Sequence, residues 1–495
     1  MTGGEPRVVI IGGGVSGVGM ACALKEQGLT DFTLYEKAAG VGGTWHHNRY
    51  PGLSCDVPSR FYQYSFDLNP GWNRLFAPGN EIRSYVEGVV ERHRLGPHVA
   101  LGTEITEARW DRGRWHVTCD DGSVDEADVL VCATGVLHRP RIPDLPGLET
   151  FAGATFHSSR WDDDEQLAGR RVAVIGTGST GVQITGALAG VASKVTVFQR
   201  SRHWVMYAPN PRYTRAGKAL ARRFPALGRL GYHGYRATLF DFLSQATVLR
   251  GPRRRISQAV VRANHRFLIR DPDLRERVTP DYPPLCKRLI VSPTWFRAIQ
   301  RPDVDVVDAG IERVVPAGIV DRSGRLHEVD VIALATGFDA QAFMRPMRIS
   351  GEGGVTLEDA WRDGPRAFQT VGLPGFPNLF TLQGPHSPAG NYSLLSLAET
   401  QISFVMSWIA RIRAGDVAAV APTQAATDAY YAKLRAQAPE TVWSEGCRSW
   451  YHGPDGTVEL WPWTARHFRE LLARPRDEDF EIQVPPASEV TAATR

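Results

Sequence analysis

Short runs of consecutive apolar residues, each closed by glycine, alternate along this chain with stretches of helical periodicity. Arg7–Ile11 (RVVII) reads as a strand buried on both faces, and GGGVSG (Gly12 to Gly17) opens the helix that follows. Arg171–Ile175 (RVAVI) and GTGSTG (Gly176 to Gly181) repeat both features. FTLYE and VTVFQR supply the next strand of each unit and end at Glu36 and Arg200. EADVLVCATG (Glu126 to Gly135) is echoed by EVDVIALATG (Glu328 to Gly337), so each half runs from a glycine loop to a strand ending in Ala-Thr-Gly. The second half is longer. Residues 213–277, helical in apolar spacing but carrying Pro225 and Pro252, account for the excess as several short helices. Tyr392 to Arg413 reads as a single apolar helix. Strands alternating with helices predict an α/β fold with parallel sheets. Here that means two Rossmann-like dinucleotide-binding domains, the second with a helical insertion.

The expected organisation is a first domain over 1–145 and a second over 146–212 and 278–340. The insertion is 213–277, a connecting segment is 341–385, and the chain returns to the first domain over 386–495. A chain of 495 residues is too long for one core, which agrees with this division. An apolar share of 43% and a charged share of 22% place it among globular chains rather than disordered ones. No uncharged apolar run reaches the roughly eighteen residues of a membrane span. The apolar N-terminal run follows Arg7 as in a signal peptide, but its glycines have nucleotide-loop spacing and no small-residue cleavage site follows. The six cysteines lie far apart without a CxxC. That pattern fits a reducing, cytoplasmic setting, argues against a disulfide-reductase flavoprotein, and offers no metal site.

Charge is uneven. Residues 213–277 hold 15 Lys+Arg against 4 Asp+Glu, within a chain whose net charge is +4. A solvated helical face that helps to draw in an anionic coenzyme explains this patch, and no nucleic-acid motif accompanies it. Nothing in the sequence specifies an oligomeric state.

The residue ending the second strand separates the two glycine loops. Gly12, Gly14 and Gly17 precede Glu36, with Lys37 beside it; a carboxylate there accepts from a ribose diol and repels a 2′-phosphate, which suits FAD. Gly176, Gly178 and Gly181, with Ser179 and Thr180 between them, precede Arg200. A guanidinium there can fork onto a 2′-phosphate, which favours NADPH over NADH. In both loops the glycines let the backbone approach a pyrophosphate seated on the helix N-terminus.

FAGATFHSSRWD (Phe151 to Asp162), read as F-x-G-x-x-x-H-x-x-x-W-[P/D], resembles the fingerprint of the Baeyer–Villiger monooxygenases at every fixed position. Physically it reads as a linker whose Phe and Trp pack into a domain interface, and His157 is not assigned as a base. GGTWHHNRYPGLSCD (Gly42 to Asp56) resembles the same family. The resemblance covers roughly residues 6–470. It implies an NADPH- and O2-dependent FAD enzyme that converts a hydrophobic ketone, cyclic ones included, into an ester or lactone through a flavin C4a-peroxide. It further implies that Gly43, Thr44 and Trp45 lie by the flavin and that Arg288 is the active-site arginine, paired with Asp56. Lys287 would help to bind the 2′-phosphate, and Trp450 of RSWYHGPDG would close over NADP. A fixed guanidinium stabilises an anionic oxidant and the oxyanion that follows attack on a carbonyl. Leu285 stands where many relatives have glycine. Pocket candidates are Arg60 to Phe66, Ala342 to Met347 and Pro388 to Tyr392. The alternatives are an N- or S-oxidising flavin monooxygenase and a non-catalytic flavoprotein.

Overall fold

The computed structural model describes residues 5–387, 390 and 392–485. Four strands open a first parallel sheet: β1 (Val8–Ile11), β2 (Phe32–Glu36), β3 (Val99–Leu101) and β4 (Val129–Cys132). Five make a second: β5 (Ala154–His157), β6 (Arg171–Ile175), β7 (Lys194–Phe198), β8 (Val304–Val307) and β9 (Val331–Leu334). A last strand, β10 (Leu379–Thr381), returns to the first sheet. The orders are β10-β4-β1-β2-β3 and β5-β9-β6-β7-β8, so the repeat in sequence is a repeat in space.

The unbroken apolar runs follow from burial on both faces. Val8 and Ile10 join one core cluster, whereas Val9 and Ile11 join another. Val172 and Val174 are likewise separated from Ala173 and Ile175. Each fully buried Val or Ile contributes ~1.5–3 kcal/mol, so a polar residue anywhere in β1 or β6 would be costly.

After β1 the chain enters helix α1 (Val15–Glu26), and after β6 helix α2 (Ser179–Leu188). The insertion forms short helices, three of them with proline in the first turn: Pro225–Tyr235, α3 (Pro252–Leu268) and Pro272–Val278. Proline fits there because its missing N–H would have no helical partner. The insertion is not simply a solvated face. Arg254 on α3 is buried, and its guanidinium donates to the carbonyls of Ala246, Thr247 and Glu440 and to Glu445. The predicted apolar helix is α4 (Leu394–Ala414). It crosses α1 at Gly19, where a Cβ would lie 3.1 Å from Ile402 Cδ1.

The structure adds two features to these expectations. Residues 341–385 are not only a connector: Arg348–Ser350 pairs with Ile105–Asp111 of a four-stranded sheet, and β10 pairs with β4. Strands of three residues carry too little alternation to be told from loop in a sequence. Nor are all six cysteines unpaired. Cys286 and Cys447 form a disulfide with Cα atoms 6.0 Å apart, across a sequence separation of 161. Short-range spacing cannot reveal such a pair, and the ground for a reducing compartment goes with it. No helix of the described residues is long and apolar enough to cross a membrane, and no group of three or more His, Cys, Asp or Glu among them could hold a metal.

Candidate functional site

The two glycine loops repeat the same close contacts. A Cβ on Gly17 would lie 1.9 Å from the Gly12 carbonyl oxygen, and one on Gly181 1.9 Å from that of Gly176. Gly12 (φ +109°) and Gly176 (φ +113°) press against the carbonyls of Ala133 and Ala335, the first residues of the two Ala-Thr-Gly ends. The echo in sequence is therefore one packing contact made twice. Gly14 and Gly178 are the N-caps of α1 and α2, and neither offers a side chain to the first-turn N–H groups, which fits a pyrophosphate in both places.

Glu36 is buried at the end of β2. One carboxylate oxygen accepts from Gly13 N at 2.7 Å and the other from Ala38 N at 2.8 Å. Both oxygens keep acceptor capacity for a ribose diol. Lys37 is exposed and lies 3.5 Å from Glu104. Gly43 (φ +53°) meets Gly14 so closely that a Cβ would fall 2.9 Å from the Gly14 Cα, and it precedes the short helix Thr44–His47. Trp45 donates from its ring nitrogen to the Tyr62 hydroxyl at 3.2 Å.

Arg200, at the equivalent place in the second unit, is exposed. Its charge acts on Lys287, whose pKa is lowered by burial first and by Arg200 second. Both cations press on His203, where burial and Lys287 hold the imidazole down at about 4. Cations so placed repel one another, and a 2′-phosphate would relieve that repulsion, so the group fits. The Lys287 ammonium also sits 4.6 Å from the centre of the Tyr282 ring.

Asp56 and Arg288, far apart in sequence, meet between the units. Arg288 Nη2 donates to Asp56 Oδ1 at 2.7 Å and Nε to Oδ2 at 3.3 Å. The Asp56 charge raises the guanidinium pKa against the opposing effect of burial, so Arg288 stays protonated. The segment before Asp56 docks on α2. Tyr50 donates to Gln183 Oε1 at 3.0 Å, Gln183 donates back to Ser54 O at 2.9 Å, and a Cβ on Gly52 (φ +80°) would lie 2.6 Å from the Gln183 carbonyl. The Tyr-Pro-Gly motif thus serves as the mount for Asp56. Gln183 was missed in sequence, since a helix glutamine carries no signal.

On the other side, the disulfide ties the Arg288 segment to the C-terminal loop. Leu285 there holds φ +75° while buried, the conformation a glycine would adopt freely. Trp450 is 43% exposed and stands edge-on to Tyr451 at 4.5 Å. It borders a cleft with Val136, Phe343, Pro385 and Leu460. The pocket candidates divide. Phe343 lines that cleft, but Phe61, Tyr62, Tyr64, Met344 and Met347 are buried in the cores of the first unit. Pro388, Ala389 and Asn391 lie outside the described residues. Core and pocket aromatics look alike in sequence, because both are simply apolar.

The segment Phe151 to Asp162 is less a linker than a strand. β5 pairs with β9, and Gly153 approaches Asp330 so closely that a Cβ would lie 2.2 Å from its carbonyl oxygen. Phe156 and Trp161 pack edge-on at 4.6 Å. Burial lowers the His157 pKa, and the neutral ring accepts from Ser159 N and donates to Gly337 O at 3.0 Å. His157 therefore joins the fingerprint to the second Ala-Thr-Gly end.

The family model described as pyridine nucleotide-disulphide oxidoreductase matches residues 6–224, which include both glycine loops. An uncharacterized monooxygenase of Mycobacterium tuberculosis is 49% identical, covering 98% of this chain and 97% of its own. A Baeyer-Villiger monooxygenase of Streptomyces coelicolor is 36% identical, covering 98% and 94%. Among solved structures, OTEMO in complex with FAD and NADP is similar at a TM-score of 0.86 and 28% identity, covering 97% of this chain and 99% of that one.

Proposed function

The chain belongs to the Baeyer–Villiger monooxygenases, FAD- and NADPH-dependent enzymes, and from that premise we propose that Arg288, held by Asp56, is its catalytic cation. Bound FAD, reduced by NADPH, supplies the activated oxygen. What the chain adds is placement and charge. Arg288 stabilises negative charge on the oxidant and on the former carbonyl oxygen during attack. Asp56 fixes the guanidinium through two contacts and balances its charge when no substrate is present. Gly12, Gly14, Gly17 and Glu36 hold the FAD pyrophosphate and ribose, with Gly43, Thr44 and Trp45 toward the flavin and Lys37 near the adenosine. Gly176, Gly178, Ser179, Thr180 and Gly181 hold the NADPH pyrophosphate, and Arg200 with Lys287 the 2′-phosphate. Trp450 closes over the coenzyme. The substrate is a hydrophobic ketone, cyclic ones included, a reading supported by the apolar cleft beside Trp450.

The observation that carries this reading is the Asp56–Arg288 pair, brought together from two family motifs more than two hundred residues apart. Arg288→Ala is expected to bind FAD and to be reduced by NADPH at the normal rate, yet to form no ester. Chromatographic product analysis beside anaerobic reduction traces checks both halves. Full ester formation by that variant would remove Arg288 from the chemistry.

A further inference from the structure

Helix α3 shows one character to the protein and the reverse of the usual one to the solvent. Hydrogen bonds pin its inward face. Arg254 donates to three backbone carbonyls and to Glu445, Gln258 Nε2 donates to Pro284 O at 3.3 Å, and His265 accepts from Val205 N at 3.2 Å. Val261 is buried on the same side. At about 100° per residue these four positions share one narrow arc of the helix.

Opposite that arc lie Ile256, Val260, Ala263 and Phe267, spaced four, three and four residues apart. Ile256 is 56% exposed, Val260 48% and Phe267 74%. Their stripe runs for about 16 Å along the helix. A surface helix ordinarily turns its apolar stripe to the core. Here the polar anchors face inward and the apolar row faces out, which marks a surface that meets another body.

A row of charge flanks the stripe. Arg255, Arg262 and Arg266 are exposed and follow one another at seven and four residues. Residues 252–268 contain no Asp or Glu. The ion pair that Arg254 makes with Glu445 is on the inward face, and among the described residues the three outer arginines have none. The Arg266 guanidinium lies 6.0 Å from the centre of the Phe267 ring, so cation and stripe adjoin. A second copy of this chain would set one arginine row against another, which like charge opposes. Nucleic-acid phosphates would satisfy the arginines but leave the stripe in water. An anionic lipid surface satisfies both, with phosphates for the cations and the headgroup–acyl boundary for the apolar row.

We propose that the outer face of α3 docks the enzyme on an anionic membrane surface, with Ile256, Val260 and Phe267 entering the boundary layer and Arg255, Arg262 and Arg266 on the lipid phosphates. This docking goes beyond the oxidation chemistry and does not depend on the role of Arg288.

The test is sedimentation of the FAD-loaded enzyme with vesicles, of phosphatidylcholine alone or mixed equally with phosphatidylglycerol. The enzyme is expected to sediment with the mixed vesicles at low salt, to stay in solution with phosphatidylcholine alone, and to be released by high salt. Replacing the three cations together (Arg255→Gln, Arg262→Gln, Arg266→Gln) should lower the partition coefficient ~100-fold. Phe267→Ser should lower it about 10-fold. Both variants should keep the wild-type Tm and flavin content, since all four side chains are exposed. Failure of the wild type to bind the anionic vesicles would overturn the proposal, as would equal binding by wild type and both variants. So would a dimer in analytical ultracentrifugation that Phe267→Ser dissociates, because a second copy would then cover the stripe.

Discussion

The two dinucleotide units share strand order, loop contacts and Ala-Thr-Gly ends, yet they close their second strands in opposite ways. Glu36 is buried, and both its oxygens are committed to backbone amides of its own unit before any ligand binds. Arg200 is exposed and stands near the like charge of Lys287, beside a His203 imidazole that burial and Lys287 keep neutral. The first arrangement is preorganised and suits a cofactor that stays. The second is relieved by the arriving phosphate and suits a coenzyme that exchanges. One topology thus yields two differently prepared sites through the burial and charge of a single position. The fifth strand differs too. The first unit takes β10 from after its own sequence, and the second takes β5 from before. The family fingerprint therefore lies where the second sheet is completed.

Substitutions at these positions should break the two units unequally. The largest effect is expected from Glu36→Ala, which strips acceptors from Gly13 N and Ala38 N as well as from the ribose. The lost amide contacts lower stability, and the lost charge-assisted bonds to the two ribose hydroxyls, ~1.5–3 kcal/mol each, should lower FAD affinity ~1000-fold, read as flavin absorbance retained after gel filtration. Retention of flavin at the wild-type level would deny the carboxylate its role. A smaller effect is expected from Arg200→Ala. Loss of one charge-assisted contact, ~1.5–3 kcal/mol, should raise the KM for NADPH about 10- to 100-fold and leave that for NADH unchanged. Equal losses with both coenzymes would show that the arginine does not read the 2′-phosphate.

The smallest effect concerns acid. His265 on α3 is buried between Trp204 and Phe296, accepts from Val205 N at 3.2 Å, and is held down at about 4 by burial. Its unfolded pKa is near 6.5. Above that value both states are neutral and stability is full. As pH falls from about 6.5 toward about 4, the unfolded chain binds a proton that the folded one refuses, and stability declines by up to ~3 kcal/mol. Tm measured across that window should fall, and His265→Gln should flatten part of the slope. Equal slopes in the two proteins would exclude this histidine as the cause.

How much of this was legible in the sequence follows from the range over which each signal acts. The glycine loops, Glu36 and Arg200 were readable because local backbone geometry and one charge define them. Asp56 and Arg288 were found through motifs, and their pairing became visible only in three dimensions. The mount at Gln183 and the Cys286–Cys447 bond were hidden, since both join positions with no spacing relation. Phe61, Tyr62 and Tyr64, expected at a pocket, lie in a core cluster, and a buried core selects the same side chains as an apolar cleft. Leu285 shows the converse: the conformation natural to glycine persists at φ +75° without one, held by the packing around it.

This chain uses NADPH and O2 to insert oxygen beside a ketone carbonyl. The FAD-loaded protein, reduced by NADPH without oxygen, should be mixed with isotopically heavy O2 and a cyclic ketone, and the product read by mass spectrometry. The expected product is a lactone carrying one heavy oxygen, formed in proportion to the NADPH consumed. Oxidation of an added sulfide or amine, with every ketone returned unchanged, would contradict it.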